Sequence, residues 1–383
     1  MKNLKIAVFT DSFLPVRGGT ELATYNLCKS LIELGNEVIL FAPDYHREQT
    51  FTEFPVHRVK SLSLSKSDKM VFSFCDFNRI FKIVKEFAPD IIYYCTANGM
   101  ARMALRAAKK LNIPCIATMH TKFKDAFYDS CHSKIITKML LNSLVKKLNR
   151  TDEIVCVSND LGLQLKGEGF KKDYKIIKNG VDYFDKTAPK LQDKEQSDVF
   201  NLFFVGHVIK VKNIQFSLRS LAYLKNTKNF SNFKFSIVGS GKYEKTLKKL
   251  TKKLNLQNNV EFLGYIGDKN ILAKHYSQSH LFLLPSTFDN DALVILEAAQ
   301  VGTPSVVIKG TGSSERITDN QNGFLSNYTI EEYGDRIYEV LHNKELYNKV
   351  CENINTIFGE SWKQVALKYQ TLFNELIDKK NSK

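Results

Sequence analysis

Long apolar runs are missing from this sequence. The apolar runs that it has, such as LFLL at 281–284, fall far short of the ~20 residues that a membrane-spanning helix requires. At the amino end Lys2 and Lys5 precede only the short run IAVF before Asp11, which predicts no signal peptide. Internal repeats and low-complexity tracts are absent too. These absences favour an ordinary globular protein.

Cysteine pairs are also lacking. The chain has seven cysteines, an odd number, and none forms a CxxC pair. A disulfide framework needs an even set in an oxidising compartment. We therefore expect reduced thiols in a cytoplasmic protein, most of them buried as small apolar side chains.

Acidic residues are scarce relative to basic ones, and the imbalance is uneven. The chain carries 55 Lys and Arg against 40 Asp and Glu, a formal net charge of +15, and residues 101–150 contain eleven basic side chains against two acidic ones. Such a block predicts an anionic partner: nucleic acid, an anionic bilayer surface or a phosphorylated substrate. A solvated lysine-rich surface explains the same composition, and both interpretations stay open.

What is present is a regular alternation of strands and helices. KIAVFTD at 5–11 predicts a strand, and TELATYNLCKSLIELG at 20–35 predicts an amphipathic helix that Gly35 ends. Continuous Ile, Val and Tyr content in later strands is typical of a parallel sheet covered on both faces. The other predicted strands lie in EVILFAPD, DIIYYCT, CIATMHT, EIVCVSN, NLFFVG, KFSIVGSG, VEFLGYI, HLFLLPS and TPSVVIKG. The predicted fold class is doubly wound α/β.

A change in composition divides the chain. TAPKLQDKEQSD at 187–198 is polar and without periodicity, which predicts a linker. Two Rossmann-like domains are expected, at 1–187 and 199–355, and a closing helix within 356–383 is expected to cross back to the first domain. Two such domains facing each other form a cleft outside the carboxyl ends of both sheets, where open α/β sheets bind ligands.

Glycine turns follow two of the predicted strands. RGGTE at 17–21 and IVGSGK at 237–242 each lead into a helix, whose N–H groups can receive a phosphate while the glycines let the backbone approach it. The candidate residues are Gly18, Gly19, Gly239 and Gly241. A plain tight turn explains paired glycines as well. The dinucleotide fingerprint GxGxxG is missing, and Tyr243 replaces the Ser or Thr of a Walker-type loop.

Cationic and imidazole side chains also follow strands. VGHVIKVKNIQF at 205–216 places His207, Lys210 and Lys212 after the first strand of the second domain, where a lysine can hold a diphosphate as a point charge. His120 ends the strand CIATMHT, where a neutral imidazole can hydrogen-bond a substrate. Taken singly, such residues are more often a solvated lysine or a structural histidine.

Three carboxylates interrupt the apolar stretch PSTFDNDALVILEAAQVGTPSVV at 285–307. A strand ends at Pro285 and a helix follows, so Asp289 is expected near the helix N-terminus and Glu297 one to two turns later. Carboxylates are natural partners of sugar hydroxyls. The triplet Asp289-Asn290-Asp291 also fits a metal site for a nucleotide-sugar, but no further ligands are evident.

Together these motifs resemble the retaining glycosyltransferases of the GT-B group called family 4, or group 1 glycosyltransferases. The matching segments run in order along nearly the whole chain: GGTELATYNLCKSLIELGNEV, VSNDL, KNGVD, VGHVIKVKN, IVGSGK, VEFLGYI, PSTFDNDALVILEAAQVGTPSVV and NGFL. Each segment is short, but their combination is specific. The resemblance implies the GT-B fold and transfer of a hexose from a nucleoside diphosphate sugar, with retention at the anomeric carbon.

The resemblance also implies roles for single residues. Glu297 is expected to bind the donor ribose and Asp289 to lie beside the transferred sugar. Lys212 and Gly19 are expected to hold the diphosphate, and His120 to lie near the donor sugar. Contacts to the sugar hydroxyls are expected from the backbone amides near Ala292, Leu293 and Val294.

Three positions depart from the family's pattern. His207 replaces an arginine of the diphosphate site, Asp289 replaces a glutamate, and Ala292 replaces a glycine. These changes bear on sugar identity and rate more than on the reaction class. A UDP-sugar is the expected donor, and nothing in the residues requires a metal or other cofactor.

Two other classes remain as alternatives. A dinucleotide-dependent oxidoreductase or epimerase is disfavoured by the missing fingerprint. A non-catalytic basic binding module would use the positive charge, but the aromatic-interleaved motifs of nucleic-acid binders are absent. We therefore expect no nucleic-acid partner.

The acceptor is expected on the N-terminal domain. SKIITKMLLNSLVKKLNR at 133–150 has Ile136, Leu140, Leu144 and Leu148 at helical spacing among lysines. A basic amphipathic helix can lie on an anionic membrane, which predicts a lipid-linked or glycan acceptor of cell-envelope synthesis and a peripheral location at the inner face of the cell membrane. A helix that packs its apolar side against the core and exposes its basic side to solvent explains the same pattern.

Overall fold

The computed structural model describes residues 3–16, 18–44, 53–63, 71–73, 77–96, 98–181 and 199–382. Arg17 and the predicted linker at 187–198 lie outside them. The chain divides into two compact units: unit 1 comprises Met1–Gly180 and Glu360–Lys383, and unit 2 comprises Val181–Gly359.

Unit 1 alternates strands with helices. Its strands are β1 (Lys5–Phe9), β2 (Glu37–Pro43), β3 (Val56–Val59), β4 (Ser61–Ser63), β5 (Val71–Ser73), β6 (Ile91–Tyr94), β7 (Cys115–Met119), β8 (Glu153–Cys156) and β9 (Lys175–Ile176). Its helices up to that point are α1 (Gly19–Glu33), α2 (Phe77–Phe87), α3 (Gly99–Leu111), α4 (Phe123–Cys131), α5 (Lys134–Leu148) and α6 (Asn159–Gly167). Seven strands form one parallel sheet in the order β3-β2-β1-β6-β7-β8-β9, and β4 pairs with β5 separately.

Unit 2 repeats the plan. Its strands are β10 (Phe200–Val205), β11 (Phe233–Val238), β12 (Val260–Gly264), β13 (Leu281–Leu284), β14 (Ser305–Ile308) and β15 (Phe324–Ser326). Its helices are α7 (Ile214–Thr227), α8 (Glu244–Lys253), α9 (Lys269–Ser277), α10 (Leu293–Gln300), α11 (Ile330–His342) and α12 (Lys344–Asn353). The six strands form a parallel sheet in the order β12-β11-β10-β13-β14-β15.

The central strands of these parallel sheets are apolar on both faces. In β1 the side chains of Ile6, Ala7, Val8 and Phe9 are all fully buried, as expected for a strand covered by helices on each side. Both sheets reverse their winding direction beside the first strand, between β1 and β6 and between β10 and β13. The doubly wound α/β prediction is therefore confirmed, and each unit has a topological switch point.

The last helix, α13 (Trp362–Asn381), belongs to unit 1 although unit 2 precedes it in the chain. It begins with a capping box between Ser361 and Gln364, an arrangement that satisfies two orphan backbone donors. The Tyr369 ring packs edge-on against Tyr93 at 5.9 Å, and its hydroxyl lies 2.8 Å from the hydroxyl of Thr118. The helix thus completes the core of the unit that starts the chain.

Within the described ranges, no helix is both long and apolar enough to cross a bilayer. The six cysteines that the structure describes are free thiols, and four of them are buried.

The predicted apolar face of α5 is partly wrong. Leu144 and Leu148 are buried, but Ile136 is exposed and Thr137 takes its place against the core. A strict four-residue spacing drifts about 40° per step around a helix of 3.6 residues per turn, so its first member leaves the core face.

Candidate functional site

The switch point of unit 2 brings two loops together. One loop follows β10 and contains residues 206–213, and the other follows β13 and contains residues 285–292. Because β10 and β13 are adjacent parallel strands, both loops leave the same edge of the sheet. This edge is where doubly wound sheets bind ligands.

A lysine and a carboxylate meet across the two loops. Lys212 Nζ lies 2.5 Å from Asp289 Oδ1, and both side chains are mostly but not fully buried. A pair in this position is only partly screened by water. The sequence named both residues but not their contact, which joins positions 77 residues apart.

Asn213 fixes one loop on the other. Its backbone is left-handed, with φ 58°, a conformation that asparagine tolerates better than most residues. Its side-chain amide donates to the Pro285 carbonyl at 3.1 Å and to the Tyr328 hydroxyl at 3.0 Å. Asn213 therefore holds the turn that carries Lys212. Sequence reasoning missed it, although an asparagine directly after a short polar turn is a usable signal.

Glu297 lies buried on α10. The Tyr276 hydroxyl of α9, itself fully buried, donates to Glu297 Oε2 at 2.9 Å. Burial raises the pKa of Glu297 to about 7, and the Tyr276 hydrogen bond and the charge of Lys269 oppose that rise. The carboxylate therefore changes its charge near neutral pH and, when ionised, accepts hydrogen bonds in a low-dielectric setting. Tyr276 was not among the predicted residues.

The N-terminus of α10 follows the same loop. Ala292 is its N-cap residue and provides no side-chain cap, and Ala292, Leu293 and Val294 are all partly exposed. The first N–H groups of a helix have no partner within the helix. These amides can therefore donate to a ligand at this edge of the sheet.

Asp291 serves the fold. It forms a two-pronged ion pair with Arg316 in which Oδ1 meets Nε and Oδ2 lies 2.8 Å from Nη2, and both side chains are buried. Asp289 and Asp291 each contact a cationic side chain. This is not the arrangement that a metal site at the triplet Asp289-Asn290-Asp291 would need. Among the residues that the structure describes, no three His, Cys, Asp or Glu side chains gather in a way that could hold a metal ion.

The glycines after β11 are required by backbone packing. A Cβ at Gly239, where φ is 128°, would overlap the carbonyl oxygen of Gly206, and one at Gly241 would overlap that of Val208. The two loops are also joined by a hydrogen bond from Val208 N to the Ser240 carbonyl at 3.0 Å. Gly239 and Gly241 thus shape the loop after β10, whose partly exposed His207 precedes the lysine turn.

The remaining predicted residues belong to unit 1. His120 is partly exposed after β7, and two residues later the buried Lys122 pairs with Asp160 at 2.6 Å, which anchors the loop that carries the histidine. At the N-terminus of α1, a Cβ on Gly18 would meet the carboxylate of Glu21, whereas one on Gly19 would have no neighbouring atom within 4 Å.

Asp11 lies at the switch point of unit 1 and was not among the predicted residues. It is buried and accepts hydrogen bonds from the Thr96 hydroxyl at 2.8 Å and from the backbone N–H groups of Asn98 and Met100 at 2.9 Å each. Burial raises the pKa of Asp11, and these hydrogen bonds oppose the rise. The carboxylate caps the start of α3 from the end of β1, a placement that only the three-dimensional strand order reveals.

Two family models match the chain and together span nearly all of it. The model described as glycosyl transferases group 1 matches residues 185–356, and the model described as glycosyltransferase family 4 matches residues 17–183.

Individual proteins extend these matches. The alpha-monoglucosyldiacylglycerol synthase of Acholeplasma laidlawii is 25% identical and covers 99% of this chain and 99% of its own length. A Streptococcus pneumoniae protein of the same name is 23% identical over 84% of this chain and 75% of its own. The crystal structure of Anabaena HepE with UDP and glucose superposes with a TM-score of 0.76 at 19% identity, over 98% of this chain and 100% of the other. This likeness confirms the predicted GT-B fold.

Proposed function

The chain belongs to the group 1 glycosyltransferases of GT-B fold, and from this premise we propose that it moves a hexose from a UDP-sugar to a membrane lipid with retention of anomeric configuration. It is an enzyme of the transferase class. The oxidoreductase, epimerase and binding-module alternatives left open by the sequence are therefore set aside.

The observation that carries the donor site is the contact of Lys212 with Asp289 at the sheet edge, directly before the helix that holds the buried Glu297. We assign the ribose hydroxyls to Glu297, because an ionised, buried carboxylate is a strong acceptor for two adjacent O–H donors. The diphosphate is assigned to Lys212 and to the uncapped start of α10. Donor binding then draws Lys212 from Asp289 toward phosphate and leaves the Asp289 carboxylate beside the sugar.

The chemistry follows from charge. As the bond between the sugar and the diphosphate breaks, negative charge grows on the leaving phosphate, and a lysine and helix amides aimed at it stabilise that charge. His120 of unit 1 is proposed to contact the sugar. No divalent metal is part of this proposal, because Lys212 and backbone N–H groups supply the positive field.

The acceptor proposal rests on the relatives and on the basic surface of unit 1. Two relatives are named as synthases of monoglucosyldiacylglycerol and match most of this chain. Diacylglycerol is therefore the first acceptor to test and UDP-glucose the first donor. Such an acceptor lies in a bilayer, so the proposal includes peripheral contact with a membrane at its cytoplasmic face.

A donor panel tests the proposed function. UDP-, GDP- and ADP-hexoses are offered with diacylglycerol in mixed micelles, and glycolipid formation is measured. Lys212→Ala and Glu297→Ala are each expected to lower donor use at least about tenfold, or roughly 1.4 kcal/mol. Lys210→Ala is the matched control, since Lys210 is exposed in the same single helical turn. If neither site variant differs from that control, the site assignment fails.

Stereochemistry and metal dependence are tested separately. Proton NMR of the glycolipid is expected to give an α-linkage from an α-linked UDP-hexose, and a β-linked product would exclude retention. Turnover is expected to persist in EDTA. A loss that added Mg²⁺ or Mn²⁺ restores would contradict the metal-free proposal.

A further inference from the structure

We propose that the hairpin of α4 and α5 is the element that inserts into an anionic lipid surface. The proposal says which element makes the membrane contact named above. It rests on the proposed function only for the reason why such a contact is needed. Its test needs neither donor nor acceptor.

Large apolar side chains are exposed along this hairpin. Ile135, Ile136 and Met139 of α5 are 76%, 47% and 66% exposed, and Tyr128 of α4 is 46% exposed. These are four of the ten exposed large hydrophobic side chains in the described part of the chain, and they lie within twelve residues of sequence. Such a concentration marks an interaction surface.

The exposed apolar side chains are additional to those that bind α5 to unit 1. The helix buries Thr137, Leu141, Leu144, Val145 and Leu148 against the core. The outward side of its first half is therefore apolar although the core does not cover it. Core packing accounts for the inward side of the helix but not for the apolar side chains on its outward side.

Charge identifies the partner. Lys134 and Lys138 are exposed among the apolar side chains, and Lys146 lies further along the same outward side of α5. The helix carries four lysines and no acidic residue, while α4 carries Asp125 and Asp129. Some of the lysines of the basic block at residues 101–150 are therefore exposed next to the apolar side chains of α5.

Lysines interleaved with isoleucine and methionine suit a bilayer better than a protein surface. Lysine is depleted at the centre of protein interfaces, because its ammonium group must lose water there. At a bilayer the apolar side chains enter the acyl region while the lysine stems extend to the phosphate groups. A tyrosine such as Tyr128 favours the same boundary.

Vesicle co-sedimentation tests the proposal. The wild-type chain is expected to bind vesicles of phosphatidylcholine mixed equally with phosphatidylglycerol and to be released by raised salt. It is expected to bind pure phosphatidylcholine weakly. The triple variant Ile135→Ser/Ile136→Ser/Met139→Ser is expected to lose binding at least about tenfold.

The control is Leu163→Ser, which removes an equally apolar side chain that is 60% exposed on α6 of the same unit. It is expected to bind vesicles as the wild type does. Because all four substituted side chains are exposed, circular dichroism melting curves are expected to stay unchanged, which separates lost binding from lost folding.

Fluorescence adds a local readout. Trp362 is the only tryptophan in the sequence and is buried, so it contributes a constant background. Met139→Trp is expected to give a blue shift with the phosphatidylglycerol vesicles and none with pure phosphatidylcholine.

Three results would overturn the proposal: unchanged binding of the triple variant, equal binding to neutral vesicles, or a wild-type dimer in light scattering that the triple variant dissociates. The last would make the hairpin a contact between two copies. Glycolipid formation from the donor panel and diacylglycerol is measured in parallel. Vesicle binding without glycolipid formation from any donor of the panel would refute the proposed function and leave the hairpin proposal standing.

Discussion

Replacing Tyr276 with phenylalanine isolates what controls the charge of Glu297. The substitution removes one hydroxyl from a fully buried ring and with it the 2.9 Å hydrogen bond to Glu297 Oε2. That bond favours the ionised carboxylate and opposes the effect of burial, which raises the pKa of Glu297 to about 7. Without it, we expect the pKa to rise further.

The size of the change follows from the energy of such a bond. A hydrogen bond to a charged group contributes about 1.5 kcal/mol at the lower end of its range, which corresponds to about one pKa unit. Since the proposed ribose contact requires the ionised carboxylate, donor kcat/KM in the wild type is expected to fall as pH drops through about 7. In Tyr276→Phe the same fall is expected about one unit higher.

The assay is the pH profile of donor kcat/KM from pH 5.5 to 9. At pH 7 Tyr276→Phe is expected to be about fivefold less active than the wild type, and the two converge near pH 9. Tyr333→Phe is the matched control, because Tyr333 is also fully buried in unit 2 but donates to the Val306 carbonyl. A loss that is the same at every pH, or a profile that the control also shifts, would refute the reasoning.

Stability gives an independent check on the same carboxyl. Its pKa of about 7 lies above the ordinary value of 4.5, so the stability it contributes is fully present below pH 4.5 and is lost as pH rises through 7. The loss is about 3 kcal/mol. In Glu297→Gln this titration is absent, and its melting temperature relative to the wild type is expected to rise between pH 5 and pH 8. A constant difference across that range would contradict the assigned pKa.

Three further predictions concern neighbouring positions. Asp291→Asn leaves Arg316 buried beside a neutral partner and is expected to destabilise unit 2 by about 3–5 kcal/mol in urea unfolding, whereas an unchanged midpoint would exclude a structural role for the pair. Gly239→Ala is expected to destabilise by about 3 kcal/mol or more, because its Cβ would overlap backbone at a left-handed φ, while Gly19→Ala has open space and is expected to unfold as the wild type does. Asp289→Asn frees its lysine partner for phosphate and is expected to raise the calorimetric affinity for UDP about twofold to fivefold while lowering sugar transfer; weaker UDP binding would contradict a lysine shared between carboxylate and phosphate.

Periodicity was enough to predict most of the fold. The apolar runs IAVF of β1 and LFFV of β10 are mostly buried on both faces, which favours a parallel sheet. Helix α1 ends where Gly35 supplies a positive φ of 90°. The short strands β9 and β15, of two and three residues, carry too little pattern to be found, because their pairing partners rather than their composition make them strands.

The site residues were foreseeable by type and position but not by contact. Lys212 and Asp289 are 77 residues apart, and Asp291 and Arg316 are 25 apart. Separations of this size carry no periodic signal. Only the adjacency of β10 and β13 brings the first pair together, so a sequence argument could name each residue and still miss that one neutralises the other.

The three carboxylates after β13 persist in an apolar stretch because each is compensated in a different way. Asp291 has a buried arginine, so its charge is fixed and serves packing. The partner of Asp289 is a partly exposed lysine, for which a phosphate can compete. Glu297 has a neutral tyrosine hydroxyl as its hydrogen-bond partner, and burial raises the pKa of its carboxyl. In the proposed donor complex, one ligand with phosphate and hydroxyl groups acts on both Asp289 and Glu297, since its phosphate draws Lys212 from Asp289 and its hydroxyls donate to Glu297. In this proposal Asp291 serves folding while Asp289 and Glu297 serve binding, and together the two binding acids favour a sugar nucleotide over a ligand that carries only phosphate or only hydroxyl groups.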